Sequence, residues 1–182
     1  MNYYEQLCKA MKLCAVYDAN AVFIGQGVGN LGTSMSSTFV GIDEKRRIEF
    51  PAAEDLQMGV ATGMALGGYL PICVFPRWNF LICATNQIIN HLDRLPIYSN
   101  GGYRPKVIIR TAVPSVDPFY PGPQHDDDFT APFRLMCRTI KVIALRRASE
   151  IVPQYQHALE RNGSTLLVEF TEQYRQQRAK EL

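Results

Sequence analysis

Apolar positions along the chain follow two alternating periods. In residues 3–18, Tyr4, Leu7, Met11 and Cys14 recur at the spacing of one buried helix face. Residues 21–24 (Ala-Val-Phe-Ile) and 70–75 are short apolar runs with glycine close by, which read as buried strands. Between them, residues 53–68 are apolar nearly all round, which predicts a buried helix. Residues 79–95 predict a helix with Ile82, Ile88, Ile89 and Leu92 facing inward. Further strands are predicted at 47–50, 106–110, 139–145 and 165–170, and a helix at 149–161 that stops at Asn162-Gly163. Strands alternating with helices predict an α/β fold, a three-layer sandwich with a mainly parallel sheet flanked by helices. Such sheets bind ligands beyond the carboxyl ends of their strands. The loops that follow Ile24, Phe75 and Arg110 therefore matter most; they carry Gln26, Trp78, Phe80 and His125.

Composition narrows this reading. The 182 residues are 47% hydrophobic and 20% charged, as expected of one soluble domain with a sizeable core. A net charge of +2 gives no reason to invoke nucleic acid or an anionic membrane. No apolar run reaches the ~20 residues of a membrane span, and no signal-peptide pattern opens the chain, so a cytoplasmic location is expected. Cys8, Cys14, Cys73, Cys83 and Cys137 match no zinc or redox spacing and read as buried free thiols. The last ten or so residues, with Arg178 and Lys180 among glutamines, read as a polar tail.

Several motifs have to be weighed. Gly27-Val28-Gly29-Asn30-Leu31-Gly32 matches the glycine fingerprint of dinucleotide sites and follows a short strand. The helix after it is weakly patterned, however, and Glu49 precedes Phe50 rather than ending a strand, so a structural glycine turn is the favoured reading. Asp126-Asp127-Asp128 follow His125, but three adjacent carboxylates cannot all face one ion. Asp126 or Asp127 as the cap of a helix starting near Phe129 is the favoured reading. His91 and His157 lie within predicted helices and read as structural or solvated. Trp78 and Phe80 sit at a strand-to-helix turn and could be core or a flat surface for a planar ring. The proline-rich loop 113–125, with Phe119 and Tyr120, is too long for a simple connector. Gly59, Gly63 and Gly67 recur every four residues, a smooth ridge along which another backbone could come close. Glu54 opens that same segment, and a carboxylate entering a packed interface needs a partner.

These segments occur in a telling order. Pro51-Ala52-Ala53-Glu54 leads into the glycine-ridged helix and Gly68-Tyr69-Leu70-Pro71. Trp78-Asn79-Phe80, Asn86-Gln87-Ile88-Ile89-Asn90, Val107-Ile108-Ile109-Arg110 and Gly122-Pro123-Gln124-His125 follow. Over roughly residues 5–170 the chain resembles the pyrimidine-binding domain of thiamine-diphosphate enzymes, most of all the beta subunit of 2-oxo acid dehydrogenases, with transketolase sharing the order. The resemblance implies that Glu54 hydrogen-bonds N1′ of the aminopyrimidine, that Phe80 stacks on that ring, and that His125 points at the reacting carbon. Gln26 stands at a cofactor-contacting place where the dehydrogenase beta chains usually carry an acid. The resemblance further implies C–C bond cleavage or formation next to a carbonyl, in a 2-oxo acid or a ketose. It implies a diphosphate-binding partner subunit whose Gly-Asp-Gly motif, absent here, holds Mg2+, with a two-plus-two heterotetramer as the expected assembly. The further C-terminal domain of the dehydrogenase beta chains is not among these residues. Two readings from other classes stay open: a non-catalytic scaffold subunit of such a complex, and a nucleotide-binding module using Gly27 to Gly32.

Overall fold

A computed structural model describes residues 1–115 and 120–175. Six strands form one sheet: β1 (Ala21–Gly25), β2 (Arg47–Glu49), β3 (Leu70–Phe75), β4 (Ile108–Val113), β5 (Lys141–Ala144) and β6 (Thr165–Phe170). Their order is β2-β1-β3-β4-β6-β5, and all five pairings are parallel. Successive side chains of a strand point to opposite faces, and each face builds its own core. On one face Phe23, Ile72, Val74, Ile108 and Leu167 pack under α1 (Tyr3–Tyr17) and α6 (Ala148–Glu160). On the other, Ile24, Cys73, Phe75, Ile109, Leu166 and Val168 pack under α2 (Glu54–Leu66), α3 (Trp78–Leu81) and α5 (Thr130–Met136). This is the expected three-layer sandwich. All six residues of the central β3 are buried because it is paired on both edges and covered on both faces.

The helix boundaries follow local chemistry. Asn2 and Glu5 close a reciprocal capping box at the start of α1. No side chain caps α2, but Glu54 and Asp55 place negative charge at its first turn, where the helix dipole favours it.

Two expectations are corrected. The helix expected over residues 79–95 is not regular. After α3 the chain tightens to a 3-10 turn over Ile82–Ala84, widens to a π-helix over Gln87–Leu92 and ends in α4 (Leu95–Tyr98). The widening coincides with a buried hub: the Asp93 carboxylate accepts the backbone N–H groups of Arg138, Thr139 and Ile140 at 2.8–3.0 Å. Nor is α2 buried all round. It buries Gln57, Met58, Ala61 and Thr62, and leaves Leu56, Gly63 and Leu66 exposed.

A second buried network lies under α1 and α6. Arg110 of β4 and Glu169 of β6 form a fully buried pair, Nε to Oε1 at 2.7 Å and Nη2 to Oε2 at 2.9 Å. Tyr155 donates to Glu169 at 2.8 Å, and Tyr174 of α7 (Glu172–Arg175) donates to the other oxygen of the same carboxylate. Arg110 also donates to Thr38 Oγ1 at 3.2 Å and lies over the Phe39 ring. Burial opposes the Arg110 charge, yet the Glu169 carboxylate holds it and keeps it firmly protonated.

Candidate active site

The chain passes from β1 to β2 on one side, then returns to the other side of β1 to form β3. That reversal opens a crevice at the carboxyl ends of β1 and β3, where doubly wound sheets place their ligands. Gly25 ends β1 at this point with φ +152°, and a Cβ there would lie 2.3 Å from the Val74 carbonyl oxygen. Only glycine lets the two strands run side by side to the crevice.

Gln26, the next residue, donates from Nε2 to Glu54 Oε1 at 2.8 Å. The two residues are brought together although they stand on different elements, and both are half-buried. Glu54 Oε2 receives no hydrogen bond from the described residues. Across the crevice Phe80 meets the ring of His125 edge-on, with centroids 5.6 Å apart. The Nδ1 atom of His125 is buried and has no hydrogen-bond partner among the described residues. Arg77 donates from Nη1 to the His125 carbonyl at 3.3 Å and so ties the loop ending at His125 to the turn after β3. A cleft of about 450 Å3 lies beside these groups, lined by Gln26, Thr33, Ser34, Arg77, Phe80 and Thr171 among others. Glu54 and His125 stand behind this wall: Glu54 is bonded to Gln26, and His125 contacts Phe80 and Arg77.

The structure divides the two aromatics that the sequence left paired. Trp78 is fully buried, packed on Phe133 at 5.0 Å and edge-on to Phe129; it is core. Phe80 lines the cleft. Phe119 lies outside the described residues, and Tyr120 is largely exposed. The aspartates after His125 have separate partners. Asp126 bonds Tyr120, Asp127 accepts from Asn79 Nδ2 at 2.8 Å, and Asp128 accepts the Thr130 N–H at 2.9 Å. The residue serving the start of α5 is thus Asp128, not Asp126 or Asp127.

Glu49 was misjudged in the sequence. It does end β2, paired with Gly25. Its carboxylate accepts the Gly27 N–H at 2.6 Å and the Gly29 N–H at 2.7 Å. The amides that would cradle a phosphate in a nucleotide site are therefore filled by the chain's own carboxylate. The loop then leads into a short 3-10 turn (Ser36–Phe39), which offers no α-helix N-terminus to a diphosphate. Arg77, Thr33, Ser34 and Thr171 also escaped the sequence reading, since nothing in their spacing brings three separate loops to one cleft.

Comparison with known proteins gives this arrangement a context. No family model matches the chain. The pyruvate dehydrogenase E1 beta subunit of Cyanidium caldarium is 34% identical over 110 residues, 59% of this chain and 34% of that protein. The 2-oxoisovalerate dehydrogenase beta subunit of Bacillus subtilis is 28% identical over 113 residues, 60% of this chain and 35% of that protein. Over this stretch the chain is similar in sequence to 2-oxo acid dehydrogenase beta subunits. It matches only about a third of the length of these relatives. In three dimensions a split-gene transketolase, described as an inactive beta4 tetramer, superposes with TM-score 0.71 at 18% identity, covering 94% of this chain and 52% of the other. Transketolase from Campylobacter jejuni superposes equally well, at 16% identity and over 26% of its length. The expected transketolase-like fold is thereby established.

Proposed function

We propose that the chain is the pyrimidine-binding subunit of a two-chain thiamine-diphosphate enzyme that makes or breaks a C–C bond next to the carbonyl of a 2-oxo acid or ketose. The observation that carries this reading is the crevice between β1 and β3. There Gln26, bonded to the Glu54 carboxylate, and Phe80, packed against the His125 ring, line the same cleft.

These groups suit the cofactor's aminopyrimidine. Glu54 keeps one carboxylate oxygen without a donor among the described residues, suited to a protonated ring nitrogen. The Gln26 amide fixes the other oxygen and so fixes the direction of the carboxylate. Phe80 offers a flat apolar surface for a planar ring. His125 has a ring nitrogen that no described group satisfies, and it would give or take a proton at the substrate. Bound thiamine diphosphate supplies a carbon nucleophile and an electron sink. In this reading Glu54 holds the proton at N1′, Phe80 and Gln26 hold the ring in register, and a second chain with a Gly-Asp-Gly motif holds the diphosphate and Mg2+. A soluble two-plus-two assembly in the cytoplasm completes the proposal. No helix among the described residues is long and apolar enough to cross a membrane. The filled glycine loop counts against the nucleotide-binding alternative.

The test is Glu54→Gln in the complex co-expressed with its diphosphate-binding partner. Turnover should fall by roughly 10²-fold or more while the assembly stays intact by size-exclusion chromatography. Unchanged turnover would favour a non-catalytic scaffold. The chain alone should bind thiamine diphosphate weakly, because the charge contacts to the diphosphate lie on the other chain. Tight, Mg2+-dependent binding by the isolated chain in calorimetry would count against the division of labour.

A further inference from the structure

One cation on the cleft wall has no counter-charge among the described residues. Arg77 is half-buried, yet no described carboxylate lies within 4.0 Å of it; the ion pairs among the described residues involve Arg47, Arg94, Arg110 and Arg147. Its one hydrogen bond among the described residues, to the His125 carbonyl at 3.3 Å, is long and uses a single N–H of a group that has five. No Asp or Glu among the described residues lines the cleft. The other polar groups on the wall are hydroxyls and an amide: Thr33, Ser34, Ser115, Thr171 and Gln26. A guanidinium left uncompensated at the wall of a cleft raises the local potential and presents a planar fork matched to an oxyanion.

We propose that Arg77 anchors the anionic oxygen group of the substrate, and that this group is the carboxylate next to the reacting carbonyl of a 2-oxo acid. This rests on the function proposed above and adds the residue that selects the acid. Position decides between a carboxylate and the distal phosphate of a sugar phosphate. Arg77 is bonded to the backbone of His125, and Phe80, one helical turn further on, touches the His125 ring. An anion held by Arg77 therefore sits beside the imidazole that would serve the reacting carbon, and not at the far end of a long ligand. Arg77 acts by binding and positioning, and the proton at the reacting centre stays with His125.

The test uses pyruvate, its neutral methyl ester and fructose 6-phosphate as probes. With the full chain, NMR of the Arg77 side-chain N–H should show saturable binding of pyruvate, none of the methyl ester, and weakening of pyruvate binding by roughly 10-fold or more in Arg77→Gln. Glutamine can still donate to the His125 carbonyl, so the loop keeps its tether. Arg77→Lys keeps the charge without the fork and should fall between the two. In the assembled complex, Arg77→Gln should raise KM for pyruvate by a similar factor, with a much smaller change in kcat. Equal pyruvate binding by wild type and Arg77→Gln, or equal binding of acid and ester, overturns the assignment. A loss confined to fructose 6-phosphate overturns the carboxylate and moves the site to a sugar phosphate. Wild-type complex that turns over neither probe, while the chain still binds pyruvate through Arg77, refutes the proposed function and leaves the anion site standing.

Discussion

Single residues set which groups are inert and which are available. Burial pushes the Cys14 and Cys73 thiols up to about 12 from an ordinary 9.0. Both are therefore poor nucleophiles, whereas Cys83 is exposed, against the expectation that it would be buried. A thiol reagent at pH 8 should label Cys83 first and reach Cys14 and Cys73 only as the chain unfolds, a contrast that mass spectrometry after timed labelling reads directly. The folded chain holds these two protons to higher pH than the unfolded chain does. The stability they contribute is intact below about pH 9 and is lost as pH rises from there towards 12. Urea midpoints across that range should fall, and should fall less in Cys14→Ala/Cys73→Ala. Glu49 is a residue of the opposite kind. It is exposed, but it organises the glycine loop through two amides. Glu49→Gln should cost about 1 kcal/mol in urea denaturation, the scale of an exposed charge-assisted pair of hydrogen bonds. It should create no affinity for NAD in calorimetry.

Elements are held together by polar pairs that no periodicity announces. Arg110 and Glu169 join adjacent strands, and through Thr38 and Phe39 they also fix the end of the segment that carries Thr33 and Ser34 past the cleft. Glu169→Gln would leave a buried guanidinium short of its counter-charge and should cost roughly 3–5 kcal/mol in chemical denaturation. Replacing Arg110 and Glu169 together with apolar residues of similar volume should recover much of that loss. A double variant no more stable than the single one would show that the pair acts through shape rather than charge. Tyr155 and Tyr174 share the same carboxylate, so the network also pins α7 to the sheet.

At the scale of the whole molecule, the informative surface is the part of α2 that stays open. Leu56, Gly63 and Leu66 are exposed along it, with Ile82 exposed on the neighbouring helical segment. A Cβ added at Gly63 would meet nothing within 4 Å. Gly63→Ala should therefore stabilise the isolated chain by about 1 kcal/mol, a shift of roughly 2–4 °C in Tm. If the ridge is where a second chain packs, the same methyl should weaken assembly, which sedimentation velocity would measure. A variant that melts higher and assembles as well as wild type would place the subunit contact elsewhere.

The amino-acid pattern alone determined the alternation of strands and helices, and with it the layered α/β fold. Burial on both faces of a parallel sheet leaves an apolar signature in its inner strands, and Pro51-Ala52-Ala53-Glu54 marks the loop-to-helix step that carries Glu54. Tertiary structure decided what no local pattern encodes. It showed that Glu49 fills the glycine loop, that Trp78 is core while Phe80 is wall, that α2 is half open, and that Arg110 meets Glu169. It also brought Arg77 up behind His125. The physical reason is the same in each case: hydrophobic periodicity records which face of an element is buried, whereas the pairing of polar groups depends on strand order, and residues 48 to 59 positions apart meet only once the sheet is assembled.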